Sequence, residues 1–500
     1  MIKSAYFRET QTYSYDDIVK ELGLPRADTN TVLQRLLRSN IVRIDWDSLD
    51  TFFWTNSNDT LELSSFTFDY VGIVDIVLPC GELVLKCFPK FFKSQPDILA
   101  MKTIISALRK YKAENTVINI ANEYKDTSIS YNPLATILFL LQDYYENGIY
   151  VNIHEVVSYC GQNEIDWDAT IYQIQPFMQD GSPYYFEYFT NETESDTSSY
   201  ITRLHQCILT ECSRHLRNSE LDVLFGIETV ELYDGNLFDF GDRAYIKEQI
   251  LKELNVQFNT RKQHLLRALL DYVCNDGISN GNYVFSCWGS TSFNLVWEKA
   301  CSDVLDSKLD KSLNQLGIPL PSNWYARKEE TLRGIIKKPV WTHYETGRTR
   351  ESETLRPDYV SIISCSNSGL FVIFDAKYYN IKIDNGVFQW APGLGDIDKQ
   401  QLYELAFRDF IDDLGFSVVN AFLFPVDSAQ SKNVGKVEMP ILKDLSLSPI
   451  QLILLDALDI FSKYAVGKRI DTASFFKLFP FCRDYFLPYH HGENNETDSQ

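Results

Sequence analysis

The run Leu370–Tyr379, LFVIFDAKYY, constrains this chain more than any other stretch. Five consecutive apolar residues leave no polar face, so the segment reads as a strand covered on both sides and central in its sheet. Asp375 and Lys377 then follow two apart, and strand residues at that spacing share a face. Charged groups at the end of a buried strand are severely penalised unless each finds a partner. A metal ion supplies one such partner; a phosphate or a second carboxylate supplies the other.

A second carboxylate is at hand. The preceding strand opens with Arg356-Pro357-Asp358 and turns through Asn367-Ser368-Gly369, and a hairpin this short brings Asp358 near Asp375. Two converging carboxylates repel unless a cation lies between them. The bare pattern carries little, because Asp306-Ser307-Lys308 also matches Asp-x-Lys and Pro96-Asp97 also matches Pro-Asp. Those copies fall in helical or loop contexts and neither has a matching half. Strand–turn–strand placement gives Asp358, Asp375 and Lys377 their weight.

Two helices agree with it. In SFNLVWEKACSDVL, Phe293, Val296, Trp297, Ala300 and Val304 form an apolar stripe with Glu298 at its edge. In GDIDKQQLYELAFRDFIDDL, Asp396 is placed to cap the helix, and Gln400, Tyr403, Phe407 and Leu414 share one face. Glu298 reads either as a group facing the site or as a surface salt-bridge residue. Gln400 and Tyr403 read either as site groups or as a satisfied amphipathic edge.

At 500 residues the chain exceeds one core, and two to four domains are expected. The start has no basic segment followed by an apolar run, and no apolar stretch approaches bilayer length, so a cytoplasmic protein without membrane contact is expected. Ten scattered cysteines without a Cys-x-x-Cys pair suit reduced thiols. In RLHQCILTECSRHLR, His205, Cys212 and His215 share a helix face, but a seven-residue separation spans about 10 Å along the axis. One zinc ion does not bridge that gap, which leaves packing, or a Cys212/His215 half-site completed from elsewhere. A net charge of −21 opposes a nucleic-acid partner, although local patches decide binding more than the total. Basic residues gather at Arg327, Lys328, Arg333, Lys337, Lys338, Arg348 and Arg350, and at Lys20, Arg26, Arg35, Arg38 and Arg43.

Along the chain, residues 1–95 read as a small α/β unit of winged-helix type, for recognition or docking. A helix over Tyr15–Leu22 precedes a second, capped by Asp28 or Thr29, and strands over Ile41–Ile44, Phe52–Trp54, Leu61–Phe68, Tyr70–Leu78 and Leu83–Phe88 follow. Asn30, Gln34, Arg35 and Arg38 lie on the outward face of the second helix; a hairpin used only for packing fits equally well. Residues 96–254 read as a mainly helical middle domain, with 179–199 as an exposed acidic loop. Residues 255–485 carry the order α-β-β-β-α-β. Its strands fall at Gly334–Tyr344, Tyr359–Ser364, Leu370–Tyr379 and, last, Phe416–Val426. The tail 486–500 is expected to be disordered.

Pro-Asp, sixteen residues, then Asp-Ala-Lys, followed by PGLGDIDKQQLYELAF, resembles the LlaJI-type restriction endonucleases, with wider kinship to the McrC nuclease subunit and other PD-(D/E)xK enzymes. The resemblance is firm over 290–426 and vaguer before it. It implies an α/β fold with a C-terminal PD-(D/E)xK core and a Mg²⁺-dependent DNA endonuclease of restriction or phage defence, Mn²⁺ being able to substitute. Asp358, Asp375, the Ala376 carbonyl and Glu298 would hold metal, and Lys377, Gln400 and Tyr403 would complete the catalytic set. Gln400 and Tyr403 are three apart where relatives often use four, so Gln401 is an alternative. Arg327, Lys328, Lys337 and Lys338 would follow the backbone of double-stranded DNA. The chain has no Walker A sequence, and the resemblance implies an AAA+ nucleotide-hydrolysing subunit and a cognate methyltransferase, leaving homo-oligomerisation open. A non-catalytic DNA-binding protein, or an interaction subunit with a nuclease scaffold, are the competing readings.

Overall fold

The computed structural model of this mixed α/β chain describes residues 2–45, 64–78, 81–119, 132–196, 198–274, 284–365, 368–428 and 430–485. The expected strand Phe52–Trp54, part of the turn at 366–367 and the tail 486–500 lie outside the described residues. The chain divides into two compact units. One comprises Met1–Ala5, Ile73–Leu85 and Thr127–Trp288; the other comprises Tyr6–Gly72, Lys86–Asp126 and Gly289–Gln500. Among the described residues no helix is long and apolar enough to cross a membrane.

The second unit holds the core built around Leu370–Tyr379. Helix α1 (Phe293–Val304) precedes strands β1 (Tyr359–Cys365) and β2 (Ser368–Ala376). Helix α2 (Leu394–Leu414) leads into β3 (Ser417–Val426), β4 (Lys432–Val437) and β5 (Ile450–Asp456). The sheet order is β1-β2-β3-β5-β4. Strand β1 runs antiparallel to β2, whereas β2–β3 and β3–β5 are parallel. The expectation that β2 is central and buried holds: Leu370 to Phe374 are all inaccessible to solvent. Phe371 and Ile373 pack with Tyr403, Phe407 and Phe410 of α2. Phe374, on the opposite face, meets the rings of Phe475 and Phe479. Burying each large apolar side chain contributes roughly 1.5–3 kcal/mol, so the strand end carrying Asp375 is held rigidly from both faces.

Two expectations for this region fail. The run Gly334–Tyr344 is not a sheet strand; it begins within the helical turn Leu332–Ile335 and ends in the first strand of an exposed hairpin, Val340–Thr342 with Thr349–Glu351. Pro339, with no N–H to donate, separates the two pieces. Nor is Phe416–Val426 the last strand, because β4 and β5 extend the sheet beyond it.

The same unit contains the expected helical pair. Helix Tyr15–Leu22 starts at Ser14, whose hydroxyl accepts from the Asp17 amide in a capping box. The second helix spans Arg26–Arg38 and begins before Asp28, with Pro25 at its N-cap and no side-chain cap, so neither Asp28 nor Thr29 caps it. A three-stranded antiparallel sheet follows, in the order Thr12–Ser14, Ser65–Phe68, Val42–Asp45.

The first unit is less helical than expected. Residues 152–196 include the strands Asn152–Tyr159 and Phe189–Asp196, paired antiparallel with Phe189 opposite Tyr159. The segment read as an acidic loop therefore contributes a strand. Its polar sequence hides the pairing because a solvated ribbon needs no apolar face. Its backbone ladder is supplemented by Glu192, which accepts from the Gln162 amide at 2.8 Å and the Asn163 side chain at 2.7 Å.

Candidate active site

The pairing of Tyr359 with Phe374 sets Asp358, one residue further out, across from Asp375. Directly opposed residues of an antiparallel pair point to one side. The Asp358 and Asp375 carboxyl groups lie close enough to repel each other, and Asp358 Oδ2 accepts the Ala376 amide at 3.0 Å. Asp375 is almost fully buried, whereas Asp358 stays partly open. Burial, then the charges of Asp375 and Glu298, pushes the Asp358 carboxyl up to about 8.

Lys377 points to the same place. Its Nζ lies 2.7 Å from Asp375 Oδ2 and 2.8 Å from Asp396 Oδ1, with 14% of the side chain exposed. Burial opposes its charge, but hydrogen bonds and attraction from Asp375 and Asp396 outweigh it and hold the ammonium above its ordinary range. Lys377 is therefore a fixed cation and not a neutral amine.

The sequence places Asp396 as a helix cap; the structure corrects this. The N-cap of α2 is Gly393, and Asp396 sits in the first turn. It binds Lys377 and accepts the Tyr379 hydroxyl at 3.1 Å, and the Lys377 interactions outweigh burial to lower its pKa. The cue was available, since a first-turn carboxylate following a buried lysine is suited to pairing it, but capping chemistry was the simpler reading.

Glu298 projects from α1, whose Trp297 anchors the helix by donating to the Leu423 carbonyl at 3.3 Å. Burial raises the Glu298 pKa, with a further push from Asp375, while Asn294 opposes it. Glu298 thus senses the Asp pair, yet the carboxylates of Asp358, Asp375 and Glu298 do not all approach within 4.8 Å of one another.

Gln400 and Tyr403 lie beneath the site and brace it. Gln400 Nε2 donates to Asn420 Oδ1 at 2.6 Å and faces the carbonyls of Ile373 and Ala421 at 3.3 and 3.4 Å. Gln401 turns away to the Ser448 carbonyl, so Gln400 is the glutamine that reaches β2 and β3. The Tyr403 hydroxyl donates to the Arg356 carbonyl at 2.8 Å, fixing the residues just before Asp358. Burial, then the acidic trio, holds the Tyr403 hydroxyl protonated well above its ordinary range.

The outlying candidates do not join this cluster. Lys337 pairs with Asp409 at 3.1 Å and Lys338 with Glu351 at 3.7 Å; Arg327 is held by Glu330 and Lys328 lies over the Tyr325 ring. Such exposed pairs are weak, about 0–1 kcal/mol, and exchange readily for a phosphate. On the second N-terminal helix Asn30 accepts the Tyr15 hydroxyl at 2.8 Å, Gln34 and Arg35 are half-buried, and Arg38 is exposed. Asn30 is thus engaged in holding the two helices together.

The chemistry of this donor set suits a hard divalent cation. Two opposed carboxylates, one driven toward protonation by its neighbours, supply hard oxygen donors with too little positive charge between them.

The family model for the LlaJI restriction endonucleases matches residues 70–334 and 323–458. A Bacillus subtilis (strain 168) protein described as the type II restriction enzyme BsuMI component YdjA is 26% identical over 484 residues, covering 95% of this chain and 92% of that protein. Among solved structures, a half-complex of Thermococcus gammatolerans McrB AAA+ hexamers with bound McrC aligns at 11% identity over 93% of this chain and 100% of that one, with a TM-score of 0.35. The McrBC complex of the same organism aligns at 13% identity over 62% and 89%, with a TM-score of 0.25.

Proposed function

Because the chain belongs to the LlaJI restriction endonuclease family, we propose that it is the nuclease subunit of a restriction or phage-defence system, hydrolysing phosphodiester bonds of double-stranded DNA with Mg²⁺. The observation that carries this reading is the convergence of Asp358, Asp375 and Lys377 at the end of a rigid buried strand. In this reading β1, β2, β3 and the flanking helices are a PD-(D/E)xK core.

Asp358 and Asp375 would hold the metal with the Ala376 carbonyl, and Glu298 would act on the same or a second ion. Bound there, Mg²⁺ or Mn²⁺ supplies Lewis-acid stabilisation of the scissile phosphate and acidifies a water. Lys377, a permanent cation held between Asp375 and Asp396, stabilises charge developing on the phosphate or orients the attacking water. Tyr403 and Gln400 fix the strand ends on which the acids sit. Lys337 and Lys338 exchange Asp409 and Glu351 for DNA phosphates.

The relative is named as a component of a restriction enzyme, which supports a multi-subunit assembly. We assign this chain an AAA+ partner that moves or loads DNA, and a cognate methyltransferase that protects the host. The test is a cleavage assay with Mg²⁺ and the partner present, comparing the natural chain with Asp375→Ala. The natural chain cuts; the variant binds DNA without cutting. Undiminished cutting by the variant removes the assignment.

A further inference from the structure

On the helix that carries RLHQCILTECSRHLR, His205, Cys212 and His215 take separate partners. His205 Nδ1 accepts the Tyr150 amide at 3.1 Å, and burial holds its ring neutral, lowering its pKa to about 4. Cys212 is buried beside Tyr272. His215, in the last turn of the helix Tyr200–Asn218, turns instead toward two carboxylates from neighbouring strands. Its Nε2 lies 2.9 Å from Asp75 Oδ2, on the strand Val71–Leu78, and its Nδ1 lies 3.9 Å from Glu82 Oε1, on the strand Gly81–Phe88.

Three features of this cluster call for a ligand. Asp75, Glu82 and His215 form the one group of three acidic, histidine or cysteine side chains among the described residues whose donor atoms all lie within 4.8 Å of one another. Asp75 and His215 are over nine-tenths buried, and a single imidazole is a poor counter-charge for two carboxylates. Asp75 Oδ1 and Glu82 Oε1 are both buried without a hydrogen-bond partner, and a distance of 3.9 Å is too long for Glu82 to satisfy itself on the ring. Unpartnered carboxylate oxygens beside an imidazole are what a metal site looks like without its ion. The burial that pushes Glu82 up to about 7 follows from the same geometry.

We propose that Asp75, Glu82 and a ring nitrogen of His215 bind a divalent transition metal, distinct from the magnesium assigned to Asp358 and Asp375. Imidazole beside carboxylates favours zinc, manganese or iron over magnesium and calcium. Glu82, with 16% of its side chain exposed, gives the ion its way in. The ion ties the helix end to both strands, and its role is structural: two successive strands and a helix end 140 residues further along the chain become one cross-linked body.

The test uses the full chain carrying Asp358→Asn and Asp375→Asn, so that the proposed catalytic site is silent and the two readings stand or fall separately. After stripping with a chelator, Zn²⁺ is titrated by calorimetry and Co²⁺ by visible absorption. One equivalent binds per chain, the Co²⁺ spectrum lacks thiolate charge transfer, and Zn²⁺ raises the melting temperature. Glu82→Gln, which keeps the shape of the side chain, and His215→Ala each weaken binding at least about tenfold and abolish the rise. Three results overturn the proposal. These are no binding by the Asp358→Asn/Asp375→Asn chain, binding that survives both further substitutions, and a thiolate band that places the ion on cysteine.

Discussion

Asp358 Oδ2 accepts the amide hydrogen of Ala376 at 3.0 Å, so the acid that precedes β1 is tied to the residue lying between Asp375 and Lys377. The contact locks two strand ends into one fixed group of charges. It also holds Asp358 where burial and the neighbouring carboxylates resist its ionisation.

That resistance makes stability depend on pH. A carboxyl raised from 3.8 to about 8 on folding favours the folded state while protonated. Its contribution is complete below about pH 4 and is lost as pH rises through about 8. Without divalent ions, the melting temperature should fall from about pH 5 to about pH 8.5, and Asp358→Asn should flatten that part of the curve. Added Mg²⁺ should raise it more at the alkaline end. Scanning calorimetry across the series measures both; an equal Mg²⁺ effect at the two ends contradicts the argument.

Lys377 is gripped from two sides, and the two grips differ in consequence. Replacing Lys377 by Ala should lower cleavage by about 10²-fold or more, because a preorganised charge is lost. Asp396→Asn leaves the ammonium on Asp375 and should cost about tenfold, seen in kcat rather than in DNA affinity. Single-turnover rates separate the two; equal loss would mean that Asp396 itself touches substrate.

Tyr403 acts on the site through the backbone of Arg356. Tyr403→Phe should cost about 1 kcal/mol of stability and reduce cleavage far less than loss of Asp375. Gln400→Leu should cost more, about 2–3 kcal/mol, since it strips a buried donor from Asn420. Urea unfolding beside the cleavage rates gives both numbers.

The residue after Lys377 is tied down as well. Tyr378 donates its hydroxyl to Glu9 at 2.5 Å, and Glu9 also accepts the Lys90 amide at 3.1 Å. Tyr378→Phe keeps the ring against Phe293 but leaves Glu9 short of a partner, at about 1–3 kcal/mol. Denaturant midpoints should shift accordingly, without change in metal affinity.

The strand Leu370–Ala376 was legible because its burial on both faces is written in consecutive apolar residues, and the hairpin to Asp358 followed from its length. Glu298 and Tyr403 were legible as helix-face positions, but what they touch was not. Asp396 was misread because capping is local and visible in sequence, whereas its pairing with Lys377 depends on how α2 sits against β2. The strands over 152–196 escaped because pairing by backbone alone leaves no periodicity. His215 meeting Asp75 joins residues 140 positions apart, a distance over which spacing carries no signal.

The most direct measurement is single-turnover cleavage of duplex DNA by the assembled enzyme in Mg²⁺, for the natural chain and Asp375→Asn, with DNA affinity determined in parallel. Loss of one metal-holding carboxylate should slow cleavage by about 10³-fold, about 4 kcal/mol of barrier, while affinity stays within a few-fold. Cleavage at an unchanged rate would show that the reaction proceeds elsewhere.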